Sequence, residues 1–124
     1  GKCLIYTEQS QSHKMYGVLY KFEASEKASL DKVEGKGNGY CEQLAQFWLN
    51  RETYTPYVYV AQSTHIDPSL VPFHWYKGLV LAGARYHRFP AEYIASIEAI
   101  PSKADPDIKR TQENENLLRQ MEQV

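Results

Sequence analysis

Glu34 is the carboxylate in this sequence whose position best suits acid–base chemistry. It follows Leu30 by four residues and Val33 by one, so a helix running through Val33 would carry it close to an apolar stripe. It would also end that helix, where unpaired backbone carbonyls disfavour negative charge. Both effects oppose a permanent charge and suit a group that gives and takes a proton. An exposed last-turn glutamate with no chemistry is the plainer alternative. Ten tyrosines against four phenylalanines supply rings with polar tips, which fit a lined cavity or a wet surface equally. Tyr57 and Tyr59 share a strand face, as an inward-facing pair would.

Other chemistries find little support. His13, His65, His74 and His87 form no i,i+4 pair and no H-E-x-x-H, so no metal site is expected. There is neither a G-x-S-x-G elbow nor a phosphate-cradling glycine loop. The formal net charge is −1 and the basic residues are dispersed, which argues against a nucleic-acid partner. No apolar run reaches the ~18 residues of a membrane span, and no leader-like segment is seen. Cys3 and Cys41 do not make a disulfide framework. Reduced thiols and a cytoplasmic location are the expectation.

The elements that must position Glu34 follow from periodicity and caps. Residues 3–6 are apolar, and 15–22 alternate with Tyr16, Val18, Tyr20 and Phe22 on one face, predicting a strand. Ser25 is placed to cap a helix over 25–33, with Gly35 as its left-handed terminus. Tyr40, Leu44, Phe47 and Trp48 fit a helical stripe. The Asn50-Arg51-Glu52 turn and the Tyr/Val-rich run 53–62, with Pro56 near its start, instead make 40–49 the first half of a hairpin. After a loop over 63–72, Trp75, Leu79, Val80 and Ala84 predict a helix over 73–86. Pro90 then opens a second helix over 90–100, carrying Tyr93, Ile94, Ile97 and Ile100. Residues 1–103 read as one domain and 104–124 as a polar tail, either partly disordered or a loosely docked helix around Leu117, Leu118 and Met121.

In order along the chain stand Met15-Tyr16-Gly17-Val18-Leu19-Tyr20, Leu30-Asp31-Lys32-Val33-Glu34-Gly35, Gly39-Tyr40, Tyr59-Val60-Ala61, Ile66-Asp67-Pro68, Trp75-Tyr76 and Val80-Leu81-Ala82-Gly83-Ala84. This series resembles the γ-glutamylcyclotransferase family, from Gly1 to about Asp107. In that family a strand ending in G-V-[LV]-[YW] feeds a short helix ending in L-D-x-x-E-G. The general γ-glutamyl branch fits better than the glutathione-specific branch, with R-E-K-G-G-Y, or the plant avirulence-induced branch, with F-E-G-x-x-Y.

The resemblance implies an α+β fold, a small mixed β-barrel flanked by helices. It implies cyclisation of a γ-glutamyl group to 5-oxoproline with release of an amino acid or amine, and no metal or organic cofactor. Glu34 would be the catalytic acid/base, with Tyr40, Tyr59 and Tyr76 lining the site of a small γ-glutamyl substrate. The family's Y-G-S-N turn, whose backbone N–H groups receive the oxyanion, has no counterpart here. The expectation is a barrel lacking its first strand, completed by an upstream segment or by a second copy in a homodimer. A non-catalytic binding or interaction module on the same scaffold is the rival reading.

Overall fold

Asn50 and Arg51 both adopt left-handed backbone, with φ of 50° and 68°. Two successive residues of that kind form the turn whose twist matches a tight antiparallel hairpin. The structure is a computed structural model that describes residues 14–62, 64 and 67–123. In it the turn joins β2 (Phe47–Leu49) to β3 (Glu52–Tyr54), while β1 (Tyr40–Leu44) pairs antiparallel with β4 (Tyr57–Ala61). The same register runs through both pairs, from Leu49 opposite Glu52 to Tyr40 opposite Ala61. Between them the Ala45 amide donates to the Pro56 carbonyl at 3.1 Å. The two small sheets are thus one ribbon, interrupted where Pro56 has no N–H to return. The helical alternative for 40–49 is excluded.

Ahead of the ribbon, a 3₁₀ turn (Ala24–Glu26) leads into α1 (Lys27–Val33). Ser25 lies in the 3₁₀ turn and does not cap α1, whose N-cap is Glu26 with no side-chain bond. The C-terminal expectation holds. Gly35 has φ 75°, its amide donates to the Lys32 carbonyl, and the Lys36 amide donates to the Asp31 carbonyl. These two bonds satisfy carbonyls that the last helical turn leaves open.

One expectation about strands changes. Residues 14–23 are irregular, and Tyr16, Val18, Tyr20 and Phe22 are exposed. Alternation specifies a strand only where a neighbouring backbone completes its ladder, and among the described residues none pairs with this segment. The expected companion at 3–6 lies outside the described residues, as do His13 and His65. The α+β class is as expected. The described strands form a ribbon and close no barrel.

Backbone contacts divide the chain into two compact units, up to Asp67 and from Pro68 onward. The second contains α2 (His74–Tyr86), α3 (Ala91–Glu98) and α4 (Ile108–Glu122). α2 ends at Tyr86 with His87 as its C-cap; Arg88 then turns left-handed, with φ 54°, and the Phe89 amide reaches back to the Ala84 carbonyl at 2.9 Å. Lys77 Nζ donates to the Glu98 and Ile100 carbonyls at the end of α3, the terminus where a cation is favoured. The tail is helix α4, and Leu118 sits against α2 at Gly78. A methyl at Gly78 would lie 2.9 Å from Leu118 Cδ2.

Asp105 secures this arrangement. Its side chain is fully buried and accepts from Trp75 Nε1 at 2.8 Å, from Arg110 Nε and Nη2 at 2.5 and 2.7 Å, and from the Asp107 amide at 2.9 Å. One carboxylate so ties α2, the connection and α4 together, while Asp107 caps α4 through the Arg110 amide. The Arg110 guanidinium, helped by the Asp107 amide and the Trp75 indole, holds the Asp105 carboxyl well below the usual range despite burial.

Two outcomes follow. Arginine is poorly suited to the left-handed position at 51, so Arg51→Gly should raise stability by on the order of 0.5–1 kcal/mol, seen as a higher denaturant midpoint. An unchanged or lower midpoint would refute the turn assignment. Asp105 is lowered in the folded state, so its stabilisation is complete above the ordinary carboxylate range near ~4 and is lost as pH falls below it. Thermal melting followed at the Trp75 indole proton should therefore decline steeply on acidification, and Asp105→Asn should flatten that decline while lowering the neutral-pH midpoint. Equal acid slopes in the two proteins would contradict it.

Candidate functional site

Directly paired residues of an antiparallel ribbon project to the same face. Tyr40, Glu42 and Leu44 of β1 therefore share a face with Tyr57, Tyr59 and Ala61 of β4, while Cys41 and Val60 occupy the other. On that second face the Cys41 thiol meets the Val60 carbonyl at 3.6 Å, and Val60 is only 5% exposed. Cys3 lies outside the described residues.

The first face meets α1 through charge. Lys27 Nζ donates to Asp31 Oδ1 at 2.6 Å, within the helix, and to Glu42 Oε2 across to β1. It also lies 4.9 Å from the Tyr57 ring centre and 5.8 Å from that of Tyr59, the positions in which a ring quadrupole attracts a cation. Lys36 approaches Asp31 at 3.6 Å and Glu42 at 3.7 Å. The Tyr59 hydroxyl donates to Asp31 Oδ1 at 2.5 Å.

The protonation states follow from these contacts. Bonds to Asp31 and Glu42 hold the Lys27 ammonium well above its usual range. Lys27 first, then Tyr59, hold the Asp31 carboxyl below its own. Burial first, then Asp31, pushes the Tyr59 phenol up to about 12. Lys27 is therefore neither a base nor a nucleophile here. The cluster is a network of charge-assisted bonds that joins α1 to the ribbon.

Glu34 stands outside this cluster. It is the C-cap of α1, exposed, and its side chain has no partner among the described residues. Helix termination is as the sequence implied, but the expected burial is not seen: Val33 beside it is 82% exposed. Lys27, Asp31 and Glu34 follow at i, i+4 and i+7, along one side of α1. Tyr40 packs its ring over Gly35, 3.7 Å from where a Cβ would stand, next to Glu34 in sequence. Glu34, Tyr40 and Tyr59 so belong to the unit ending at Asp67, whereas Tyr76 is on α2, edge-on to Trp75 at 5.9 Å.

Sequence reasoning missed Lys27, Glu42 and Lys36, and treated Asp31 only as a motif letter. Two signals were present. Lys27 and Asp31 are spaced i, i+4 in the order that is weaker for an isolated helix, which hints at a tertiary role for the pair. Glu42 stands two residues after Tyr40 and so on its face. Replacing Lys27 by methionine should let the Asp31 carboxyl titrate higher than in the unmodified chain, as read by carboxyl carbon NMR. An unmoved midpoint would show that Lys27 does not hold Asp31.

A groove of about 700 Å³ also opens in this unit, with Met15, Tyr16, Phe47, Trp48 and Leu49 among its lining residues. Among the described residues no three His, Cys, Asp or Glu side chains converge as a metal site would require, and no helix is long and apolar enough to cross a membrane.

No curated protein and no solved structure matches the chain. The sequence pattern of the AIG2-like family matches residues 14–97. That span takes in the α1 turn with Glu34, the whole ribbon, α2, and α3 as far as Ile97, on a γ-glutamylcyclotransferase-like scaffold. With well over half of its 124 residues matched, the chain belongs to the AIG2-like family.

Proposed function

We propose that the chain closes a γ-glutamyl group to 5-oxoproline and expels an amino acid or amine, with Glu34 carrying the proton. The observation that carries this reading is the end of α1. The Leu30–Gly35 motif is built there as a capped helix terminus whose C-cap, Glu34, is exposed and has no side-chain partner among the described residues, while the Tyr40 ring packs over the neighbouring Gly35.

The α-amine attacks the γ-carbonyl of its own molecule, so holding one folded conformer supplies much of the acceleration. A single carboxylate can take the proton from the ammonium and return it to the leaving nitrogen. Tyr40 and Tyr59, both in the unit ending at Asp67, are proposed to line the substrate site, and no cofactor is invoked. Oxyanion stabilisation by N–H donors is the remaining requirement; the family supplies it from the Y-G-S-N turn.

A second reading, a non-catalytic binding module, is favoured by the groove at Met15 and Phe47, where Trp48 is 72% exposed. Turnover separates the two. The chain carrying an amino-terminal Y-G-S-N segment should release 5-oxoproline from γ-glutamyl dipeptides. Glu34→Gln should cut release by about 10²–10⁴-fold without unfolding the chain. Glu26→Gln, before α1, should change little. Glu34→Gln turning over at the unmodified rate would end the catalytic assignment, and no release from any γ-glutamyl compound would favour the module.

A further inference from the structure

A phenol has one hydrogen to give, and in Tyr59 it is committed, because Oη donates to Asp31 Oδ1 at 2.5 Å. Asp31 cannot donate in return. Lys27 at 2.6 Å, with Lys36 at 3.6 Å, keeps it a carboxylate. The Tyr59 phenol is pushed up to about 12, so it retains its proton at ordinary pH. What Oη still offers is lone pairs, which accept hydrogen bonds and cannot donate them.

We propose that Asp31 is a positioning residue that turns Tyr59 Oη into a dedicated acceptor, so that Tyr59 receives an N–H of the substrate's α-amino group and not its carboxylate. The inference rests on the proposed γ-glutamyl reading and deepens it by naming the substrate group that Tyr59 meets.

The surrounding charges are compatible with that ligand. Lys27 and Lys36 face Asp31 and Glu42, two cations against two anions, so an incoming ammonium meets no net charge. Lys27 lies between its carboxylates and beside the Tyr57 and Tyr59 rings. The chemistry also favours an acceptor. Once the ammonium has lost its proton, an acceptor on one N–H leaves the nitrogen lone pair free to attack the γ-carbonyl. A donor at the same place would occupy that lone pair.

The test uses the full chain with Tyr59→Phe and Asp31→Asn, and two probes: a γ-glutamyl dipeptide and its glutaryl counterpart, which lacks the α-amine. Affinities come from NMR titration. The unmodified chain should prefer the γ-glutamyl probe, and Tyr59→Phe should lose about tenfold on that probe alone. Tyr59→Phe keeps the Asp31–Lys27 pair, so its result does not depend on whether Asp31→Asn folds well. In Asp31→Asn, the Tyr59 phenol should titrate lower, toward an ordinary tyrosine. No preference for the amine, equal losses on both probes, or an unmoved Tyr59 titration overturns the proposal. Release of 5-oxoproline by the chain carrying the Y-G-S-N segment reports separately on the activity. Amine preference without release removes the cyclisation reading and keeps the role of Tyr59; release without preference does the reverse.

Discussion

An ammonium bonded to carboxylates on two different elements is satisfied only while both elements stay in place. Lys27 does this between α1 and β1, bonding Asp31 and Glu42 while two tyrosine rings of β4 flank it. At seven residues, α1 is far shorter than a helix that persists alone in water. Its persistence therefore depends on the Gly35 terminus and on this tie to the ribbon. Glu34, at the end of the same helix, is placed only as well as Lys27 places the helix.

The unit from Pro68 onward uses the same kind of device with the charges exchanged. There a buried carboxylate, Asp105, gathers an indole, a guanidinium and an amide. Removing one member of such a group leaves the others desolvated and unpaired, which costs more than the intact group contributes. Both devices matter because deep apolar burial among the described residues is confined to Val60 and Ala84. Polar hubs fix the geometry that a larger apolar core would otherwise fix.

Features governed by local chemistry were legible in the sequence. The helices around Trp75–Ala84 and Tyr93–Ile97 announced themselves by period, and Gly35 and the turn at Asn50 by the backbone preference of glycine and asparagine. The hairpin prevailed over a helical stripe at 40–49 because the turn decided what periodicity left open. Partnership was not legible. The run 15–22 alternates like a strand, yet alternation cannot show which backbone would complete it. Lys27 and Glu42 each look like ordinary surface charges, and only folding reveals that they face one another. The ordered motifs marked Glu34 and Tyr59, but not the Asp31 contact that sets what the Tyr59 hydroxyl can offer.

The continuous register of the ribbon has a consequence for the order of assembly. The two-residue turn at Asn50 and Arg51 closes the shortest loop in this unit, and pairing can extend from there toward Tyr40 and Ala61. The contacts to α1 span 15 residues for Lys27–Glu42 and 28 for Tyr59–Asp31, so loop closure disfavours forming them first. A ribbon that zips one residue out of step turns Tyr59 and Glu42 to opposite faces. Lys27 then finds only one of its carboxylates, and α1 is not held. Docking of α1 thus acts as a proofreading step on the hairpin, and the candidate site is completed only on a correctly aligned ribbon.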